Sequence, residues 1–347
     1  MSNHTVGIMN YRYSHVIGFL SVSGRGFNNP VDLVVGNDGV LYVLNRAGSD
    51  VAERMVSKRI TICTVDEEYH GEFVRGGTAE GQMMWPSGIA MSPEGNLFIS
   101  DEALHRISIF TTDGDFLGSW GIEGRGDGEF TRPSGIAFDP EGNLIVADGL
   151  NHRIQRYSAD GRYLGGWGKA GTAPGEFNIP WGVSVDSDGN VFVADWRNDR
   201  IQKFDSDGRH IASYGEAGSG EVRLNRPSGA TIDRHGNMYI ADWGNHKVRI
   251  LNPEGELIGD FRGDAGMSKW SDDYFRANPD EWEERQKADL EPELDPMTTY
   301  DTRDESAGIE KYFWGPTSVK LDSEGRMYVV DSCRHRIQVY QISQEQD

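Results

Sequence analysis

Short runs in which apolar and polar residues alternate fill most of this chain. The clearest stretch, PSGIAFDPEGNLIVADGLNHRIQRY at 133–157, contains three such runs, GIAFD, NLIVAD and HRIQRY, and a fourth, YLGGW, follows the turn SADGR. Alternation with period two is typical of a β-strand with one buried face, and the Gly-, Asp- and Asn-rich segments between the runs favour tight reversals. Each unit therefore predicts a four-stranded antiparallel meander.

The same unit occurs six times along the chain. The copies begin at Pro30, Pro86, Pro133, Pro180, Pro227 and Pro316. The four copies from 86 to 227 start every 47 residues. A fixed period of this length in strand-forming sequence is typical of radial β-repeats. We therefore predict an all-β fold, a six-bladed β-propeller of four-stranded antiparallel blades, with residues 1–347 as one domain.

The two ends of the chain predict how the ring closes. The last copy stops after its third strand, at IQVYQIS, so blade six lacks an outer strand. Before the first copy lies SHVIGFLSVSG, which is similar to the fourth-strand stretch RYLGGWGKAG. An unpaired strand edge leaves backbone hydrogen bonds unmade. We therefore expect residues 15–20 to supply the missing strand of blade six.

Some polar residues recur in nearly every copy and are predicted to be architectural. An aspartate ends the second strand at Asp101, Asp148, Asp195, Asp242 and Asp331, and a cation follows five residues later at Arg106, Arg153, Arg200, Lys247 and Arg336. A carboxylate and a cation repeated in register predict one ion pair per blade. Histidines recur at His105, His152, His246 and His335. Spread over four blades, they lie too far apart to bind one metal ion.

The motifs PSGIAFD, GNLIVAD and NHRIQ, recurring together, resemble the NHL-repeat family of β-propellers over residues 15–263 and 311–343. That family includes signalling sensors, RNA-binding domains, protein-interaction platforms and peptide-amidating lyases. In the lyases, metal-binding histidines directly follow the first-strand proline. The matching residues here are Val31, Ser87, Ser134, Trp181, Ser228 and Thr317. None is histidine, so the resemblance does not extend to that metal site or its activity.

Charge and composition limit the partners. The chain has 34 Lys and Arg residues and 55 Asp and Glu residues, which gives a net charge of −21. Such a field repels phosphate backbones and anionic membrane surfaces, so we expect neither a nucleic acid nor a membrane as partner. The chain shows no signal-peptide pattern or long apolar run, and its two cysteines suit a reducing compartment. These features favour the cytoplasm.

The largest break in the repeat is an insertion between blades five and six. Residues 264–312 carry 15 acidic and 6 basic side chains. Asn278 and Pro279 precede an acidic turn and a later lysine, which predicts the start of a helix. We call the face where first strands begin and second strands end the top face. We expect the insertion to form a partly helical lid docked over this face. The alternative is a mobile acidic loop. In blade one, the segment RAGSDVAERMVSK lengthens a second loop on this face.

Two charged residues break the repeat near the axis. Asp32 stands where blades two to five have glycine, and Lys320 stands where they have Ala, Ser or Thr. Buried charges require partners, so one interpretation is a structural bridge or the lining of a channel. The other is catalytic, with Asp32 as general base or metal ligand and Lys320 binding an anion. The cofactor that this second interpretation would involve is a divalent metal such as calcium on the axis.

Aromatic and cationic residues mark the top face as a ligand-binding surface. The candidates are Trp85, Arg132, Trp181, Trp196, Arg226, Trp243 and Trp314. Tryptophans beside arginines on a concave face are typical anchors for small molecules or peptides. Two hypotheses follow. The chain binds a small ligand, peptide or protein on its lidded top face, or it is a hydrolase or lyase with its active site in the central funnel.

Overall fold

Six antiparallel sheets of four strands form the molecule. The computed structural model describes residues 11–36, 38–48, 56–215, 222–264, 266–295 and 301–342. Within these residues each of the first five sheets uses four consecutive strands, and the sixth combines the first strand with the last three. The predicted six-bladed β-propeller with four-stranded blades is therefore confirmed.

The strands follow the sequence repeat. Blade one contains β2 (Pro30–Val35), β3 (Val40–Asn45), β4 (Arg59–Thr64) and β5 (Tyr69–Phe73). Blade two contains β6 (Pro86–Met91), β7 (Leu97–Asp101), β8 (Arg106–Phe110) and β9 (Phe116–Trp120). Blade three contains β10 (Pro133–Phe138), β11 (Leu144–Asp148), β12 (Arg153–Tyr157) and β13 (Tyr163–Trp167).

The second half of the ring repeats this plan. Blade four contains β14 (Pro180–Val185), β15 (Val191–Asp195), β16 (Arg200–Phe204) and β17 (His210–Tyr214). Blade five contains β18 (Pro227–Ile232), β19 (Met238–Asp242), β20 (Lys247–Leu251) and β21 (Leu257–Phe261). Blade six contains β22 (Pro316–Leu321), β23 (Met327–Asp331), β24 (Arg336–Ile342) and β1 (Tyr11–Ile17). The innermost strands contact one another in sequence order, and β22 contacts β2 to complete the ring.

Strand β1 is the outer strand of blade six. It pairs antiparallel with β24, with Tyr11 opposite Ile342 and Ile17 opposite Ile337. The strand begins and ends earlier than the expected 15–20. Tyr11 extends the pairing because its hydroxyl donates to the carbonyl of Gly325 at 2.8 Å, and Gly18, with φ of +84°, ends it.

The hydrophobic core lies between neighbouring blades. Each cluster of buried apolar side chains combines strands of two adjacent blades. The loop that enters a blade inserts a fully buried ring into this space in four blades, at Phe27, Phe130, Phe177 and Phe313. Gly18 is needed beside the first of these rings, since a Cβ there would lie 2.3 Å from Phe27. Full burial of one such ring stabilises the fold by about 1.5–3 kcal/mol.

The predicted ion pairs occur in three blades. Asp148–Arg153, Asp195–Arg200 and Asp331–Arg336 are joined at 2.9, 2.9 and 2.8 Å. In blade five the predicted partner of Asp242 is wrong. Asp242 forms its ion pair with Arg249, at 2.9 Å. Arg249 lies two residues after Lys247 in β20, so both side chains are on the same face of the strand. Lys247 pairs with Asp260 instead.

Blade two also departs from the predicted pairing. Asp101 accepts hydrogen bonds from the backbone N–H groups of Met84, Trp85, Ala103 and Leu104. Arg106 donates instead to backbone carbonyls of the preceding loop. Backbone donors therefore satisfy this carboxylate in place of a cation.

The repeated histidines join neighbouring blades. Each accepts, through Nδ1, the backbone N–H of the residue before the next first strand, as in His246 to Gly315 at 3.0 Å and His335 to Asn29 at 2.9 Å. In blade four Asp199 does the same for Arg226 at 2.8 Å. These acceptors have φ of +52° to +55°, a region that His, Asp and Asn adopt more readily than most residues.

The described part of the insertion forms three helices, α1 (Lys269–Ala277), α2 (Pro279–Lys287) and α3 (Thr302–Gly308). Helix α2 begins at Pro279, as predicted. Helix α1 docks through Trp270, whose ring packs on Phe27 and Tyr69 with centroids 5.8 and 6.2 Å away and whose indole N–H donates to the Glu67 carbonyl at 2.6 Å. Helix α1 thus covers the junction of blades six and one.

Helix α3 borders the top face. Arg334 donates to the carbonyls of Ser306, Ala307 and Ile309 at 2.8, 3.0 and 3.0 Å, and the helix contacts the 3-10 turn Trp243–Asn245. Residues 265 and 296–300 of the insertion, and residues 49–55 of the lengthened blade-one loop, lie outside the described residues. None of the helices described is both long and apolar enough to cross a lipid bilayer.

We expect the free energy of unfolding to depend on β1. Removing residues 1–23 should abolish cooperative unfolding in urea, because β24 then has an open edge and Phe27 loses neighbours. Ile17→Ala, at a fully buried position, should lower the free energy of unfolding by about 2–5 kcal/mol. Removing only residues 1–10, which leaves β1 intact, is the control. Cooperative unfolding at an unchanged urea midpoint after the longer truncation would contradict this assignment.

The histidine junctions predict acid sensitivity. Burial lowers the pKa of His246 and His335 below the usual 6.5, so below that pH the unfolded chain takes up protons that the folded chain does not. The free energy of unfolding should therefore fall as the pH drops. Asparagine keeps an acceptor and the positive φ but does not titrate. His246→Asn/His335→Asn should thus lose less stability than the native chain between about pH 7.5 and about pH 5.5.

Urea midpoints at the two pH values test this, with His70→Asn, an exposed histidine, as control. Asp242, whose pKa burial raises to about 6, titrates in every variant and cancels in the comparison. Equal acid sensitivity in the native chain and the double variant would show that the junction histidines do not cause it.

Candidate ligand-binding face

The residue that directly follows the second strand differs between blades and marks the candidate site. Four blades place it at the start of a 3-10 turn on the top face, next to the axis. At this position the six blades carry Arg46, Glu102, Gly149, Trp196, Trp243 and Ser332. The strand framework is thus constant, and the side chains that it presents to the mouth of the axis differ in every blade but two.

An ion pair covers the mouth of the axis. Arg46 Nη2 lies 2.9 Å from Glu102 Oε1, and their side chains are 14% and 4% exposed. The guanidinium carbon of Arg46 is 4.3 Å from the ring centroid of Trp85 and 5.8 Å from that of Trp181. Trp181 belongs to blade four, opposite blade one in the ring, so Arg46 reaches across the mouth between two indoles.

Burial and charge act against each other in this pair. Burial raises the pKa of Glu102 and lowers that of Arg46, and the attraction between the two groups opposes both changes. The positive charge of Arg132 also lowers the pKa of Glu102, so Arg132 lies near the pair. Our sequence prediction missed Arg46 and Glu102. Comparing the blades at this one register position would have found them, as it found Trp196 and Trp243.

Four tryptophans line the top face around this pair. We call Trp85, Trp181, Trp196 and Trp243 the tryptophan arc. The ring centroids of Trp181 and Trp196 are 6.2 Å apart, and those of Trp196 and Trp243 are 6.3 Å apart. All four side chains are partly exposed. The structure therefore brings these sequence-predicted residues together on one surface.

Cations lie on the faces or edges of these rings. Arg226 and Arg197 have their guanidinium carbons 5.1 and 5.6 Å from the Trp196 centroid, and Lys58 Nζ is 5.4 Å from the Trp85 centroid. A cation within about 6 Å of an indole face is attracted by the ring quadrupole. Cations thus lie against three of the four indoles, Trp85, Trp181 and Trp196.

Trp314 stands apart from the arc. The guanidinium carbon of Arg334 is 5.6 Å from its ring centroid, and its backbone N–H donates to Asp331 at 2.7 Å. Trp314 lies at the end of the insertion, beside the blade-six turn. Among the described residues, its ring makes no ring-to-ring contact with a tryptophan of the arc.

Asp32 and Lys320 form an ion pair on the axis. Asp32 Oδ1 lies 3.0 Å from Lys320 Nζ and accepts hydrogen bonds from Ser318 Oγ at 2.7 Å and Leu33 N–H at 2.9 Å. Its Oδ2 accepts from Ile89 N–H at 3.2 Å. One carboxylate therefore ties together blades one, two and six.

The surroundings of Asp32 do not fit a catalytic metal. The void that it lines measures about 30 Å³, room for one water molecule, and Asp32 is the single carboxylate in that lining. Calcium prefers six to eight oxygen ligands, and here an ammonium group already lies beside the carboxylate. In the described part of the chain, no three His, Cys, Asp or Glu side chains converge as a metal site would require.

Comparisons with known proteins agree with this architecture. The family model described as NHL repeat matches residues 130–157, 177–204 and 313–340. No curated protein matches the sequence.

Solved structures share the fold at low identity. Virginiamycin B lyase from Staphylococcus aureus is 14% identical over 96% of this chain and 100% of its own, with a TM-score of 0.56. An auxiliary nutrient binding protein from Bacteroides ovatus is 14% identical over 97% of this chain and 78% of its own, with a TM-score of 0.61. At this identity the likeness concerns the fold alone. The three matched repeats and the six closed blades together show a six-bladed β-propeller that contains NHL repeats.

Proposed function

We propose that this chain is a binding propeller whose tryptophan arc takes up a peptide segment of a partner protein. The observation that supports this most directly is the arc itself, four partly exposed indoles on one face, three of them in ring-to-ring contact, with cations against them. Tryptophan and arginine are the residues most often found as anchors in protein interfaces. Folding alone gives no reason to leave four indoles together at a surface.

The shape of the top face supports a peptide rather than an enclosed small molecule. Pockets for drug-sized ligands are cavities of about 300–1,000 Å³. The axial void of about 30 Å³ is far smaller, and the Arg46–Glu102 pair covers its mouth. An extended segment can instead lie across the arc, with α3 bordering the face at blade five.

The hydrolase or lyase alternative has less support. A general base needs a free lone pair within reach of substrate, whereas both oxygens of Asp32 accept hydrogen bonds from the chain and Lys320 adjoins one of them. The void beside it holds no substrate-sized space. The charge of −21 continues to argue against nucleic acids, and the free cysteines Cys63 and Cys333 support a reducing compartment such as the cytoplasm.

Selection from a phage-displayed dodecapeptide library tests the proposal. The native chain should enrich binding peptides, and Trp196→Ala/Trp243→Ala should weaken the best synthetic peptide by at least about tenfold, because truncating an anchor tryptophan typically costs 2 kcal/mol or more. Fluorescence anisotropy of the labelled peptide gives the dissociation constants.

The matched control is Leu117→Ala/Leu164→Ala, which removes two exposed apolar side chains from outer strands β9 and β13. It should leave binding unchanged, and circular dichroism should show that both double variants are folded. If no peptide is enriched, or if the tryptophan variant binds as well as the native chain, the arc is not the binding site.

A further inference from the structure

We infer that the peptide bound by the tryptophan arc is acidic and places a carboxylate beside Arg226. This inference rests on the proposed function and specifies its ligand. It starts from two similar arrangements on the top face, one of which contains a carboxylate while the other does not.

The first arrangement is complete within the chain. The guanidinium carbon of Arg46 lies 4.3 Å from the Trp85 centroid, and Glu102 binds the guanidinium at 2.9 Å. The indole covers one face of the cation, and the carboxylate neutralises its charge. The top face therefore already holds one carboxylate between arginine and tryptophan, and the short distance shows that the geometry suits both charges.

The second arrangement lacks the acid. The guanidinium carbon of Arg226 lies 5.1 Å from the Trp196 centroid, and that of Arg197 lies 5.6 Å from it. Among the residues that the structure describes, neither guanidinium has an ion pair or a hydrogen-bond partner. The carboxylate of Asp199 accepts the backbone N–H of Arg226 at 2.8 Å and makes no described contact with either guanidinium. A carboxylate from outside the chain would complete the second arrangement as Glu102 completes the first.

The local charge supports the same conclusion. Lys58, Arg46, Arg197 and Arg226 all approach tryptophans of the arc, and Arg132 lies near Glu102. These cations are concentrated on one surface of a chain whose net charge is −21. Such a cluster of cations attracts an acidic segment and orients it, while the acidic surface elsewhere repels it.

The other source of anionic groups is a polynucleotide. Each of its phosphates adds a charge that the acidic body of the chain repels, and binding requires many basic contacts at once. Few cations approach the arc, and Glu102 already binds one of them, Arg46. A short peptide with one or two carboxylates next to an aromatic or apolar side chain matches this surface better, because the indoles contact the apolar part.

The experiment uses the same dodecapeptide library with charge-reversed variants. The native chain should enrich peptides that contain Asp or Glu next to aromatic residues. For the best peptide, Arg132→Glu/Arg226→Glu should raise the dissociation constant by at least about tenfold, since it replaces attraction with repulsion. Binding should also weaken as salt rises from about 0.05 to about 0.3 M. Selection on the charge-reversed variant should enrich Lys and Arg.

Arg162→Glu/Arg209→Glu is the matched control, because it makes the same change of charge at two exposed residues of turns on the opposite face. It should leave the dissociation constant unchanged. Enrichment of neutral or basic peptides by the native chain would overturn the inference. So would a result in which the charge-reversed variant binds the peptide as well as the native chain does and Trp196→Ala/Trp243→Ala does not bind it. In either case the proposed function would stand.

Two further outcomes separate the remaining explanations. Binding of an octameric uridylate that exceeds binding of the best peptide would assign the site to nucleic acid and overturn the acidic-peptide inference. Failure to enrich any peptide would overturn the proposed function together with the inference.

Discussion

Closure of the ring constrains every other feature of this molecule. Strand β1 gives β24 its missing partner, and contact between β22 and β2 joins the two ends of the repeat. Without that pairing, blade six would have an open edge and the buried ring of Phe27 would lose neighbours on one side. Six-fold closure also fixes which loops meet, because all turns from second to third strands must then lie on one face around one axis.

The repeat was sufficient to predict the fold from the sequence. The residues that depart from the repeat predicted part of the site. Alternation, turns and period predicted the blades, since each is a local property of the chain. Trp181, Trp196 and Trp243 were found because they replace smaller residues at fixed register positions. The closing strand was displaced by four residues at its start, because the backbone pairing of Tyr11 and its bond to Gly325 depend on a strand more than 300 residues away.

Other details depend on side-chain reach, which the pattern does not encode. Asp242 pairs with Arg249 rather than Lys247, although both cations lie on one face of β20, because the guanidinium reaches the carboxylate and the ammonium finds Asp260. The reach of Arg46 is a further example. Its sequence position indicates the top face, but only the fold shows that it extends across the mouth to Trp181.

The top face combines a closed axis with an open rim, and this combination favours recognition over catalysis. Asp32 joins three blades, and Arg46 and Glu102 cover the mouth above it. What remains accessible is a curved row of indoles and guanidiniums. The constant strands hold these side chains in place, so the partner meets a surface that needs little rearrangement.

Hydrogen–deuterium exchange with the best selected peptide tests most directly whether the departures from the repeat form one binding surface. The account predicts slower exchange on binding in the top-face segments 83–86, 179–182, 196–199 and 243–246. Slower exchange confined to turns of the opposite face, such as 139–142 and 186–189, would contradict it.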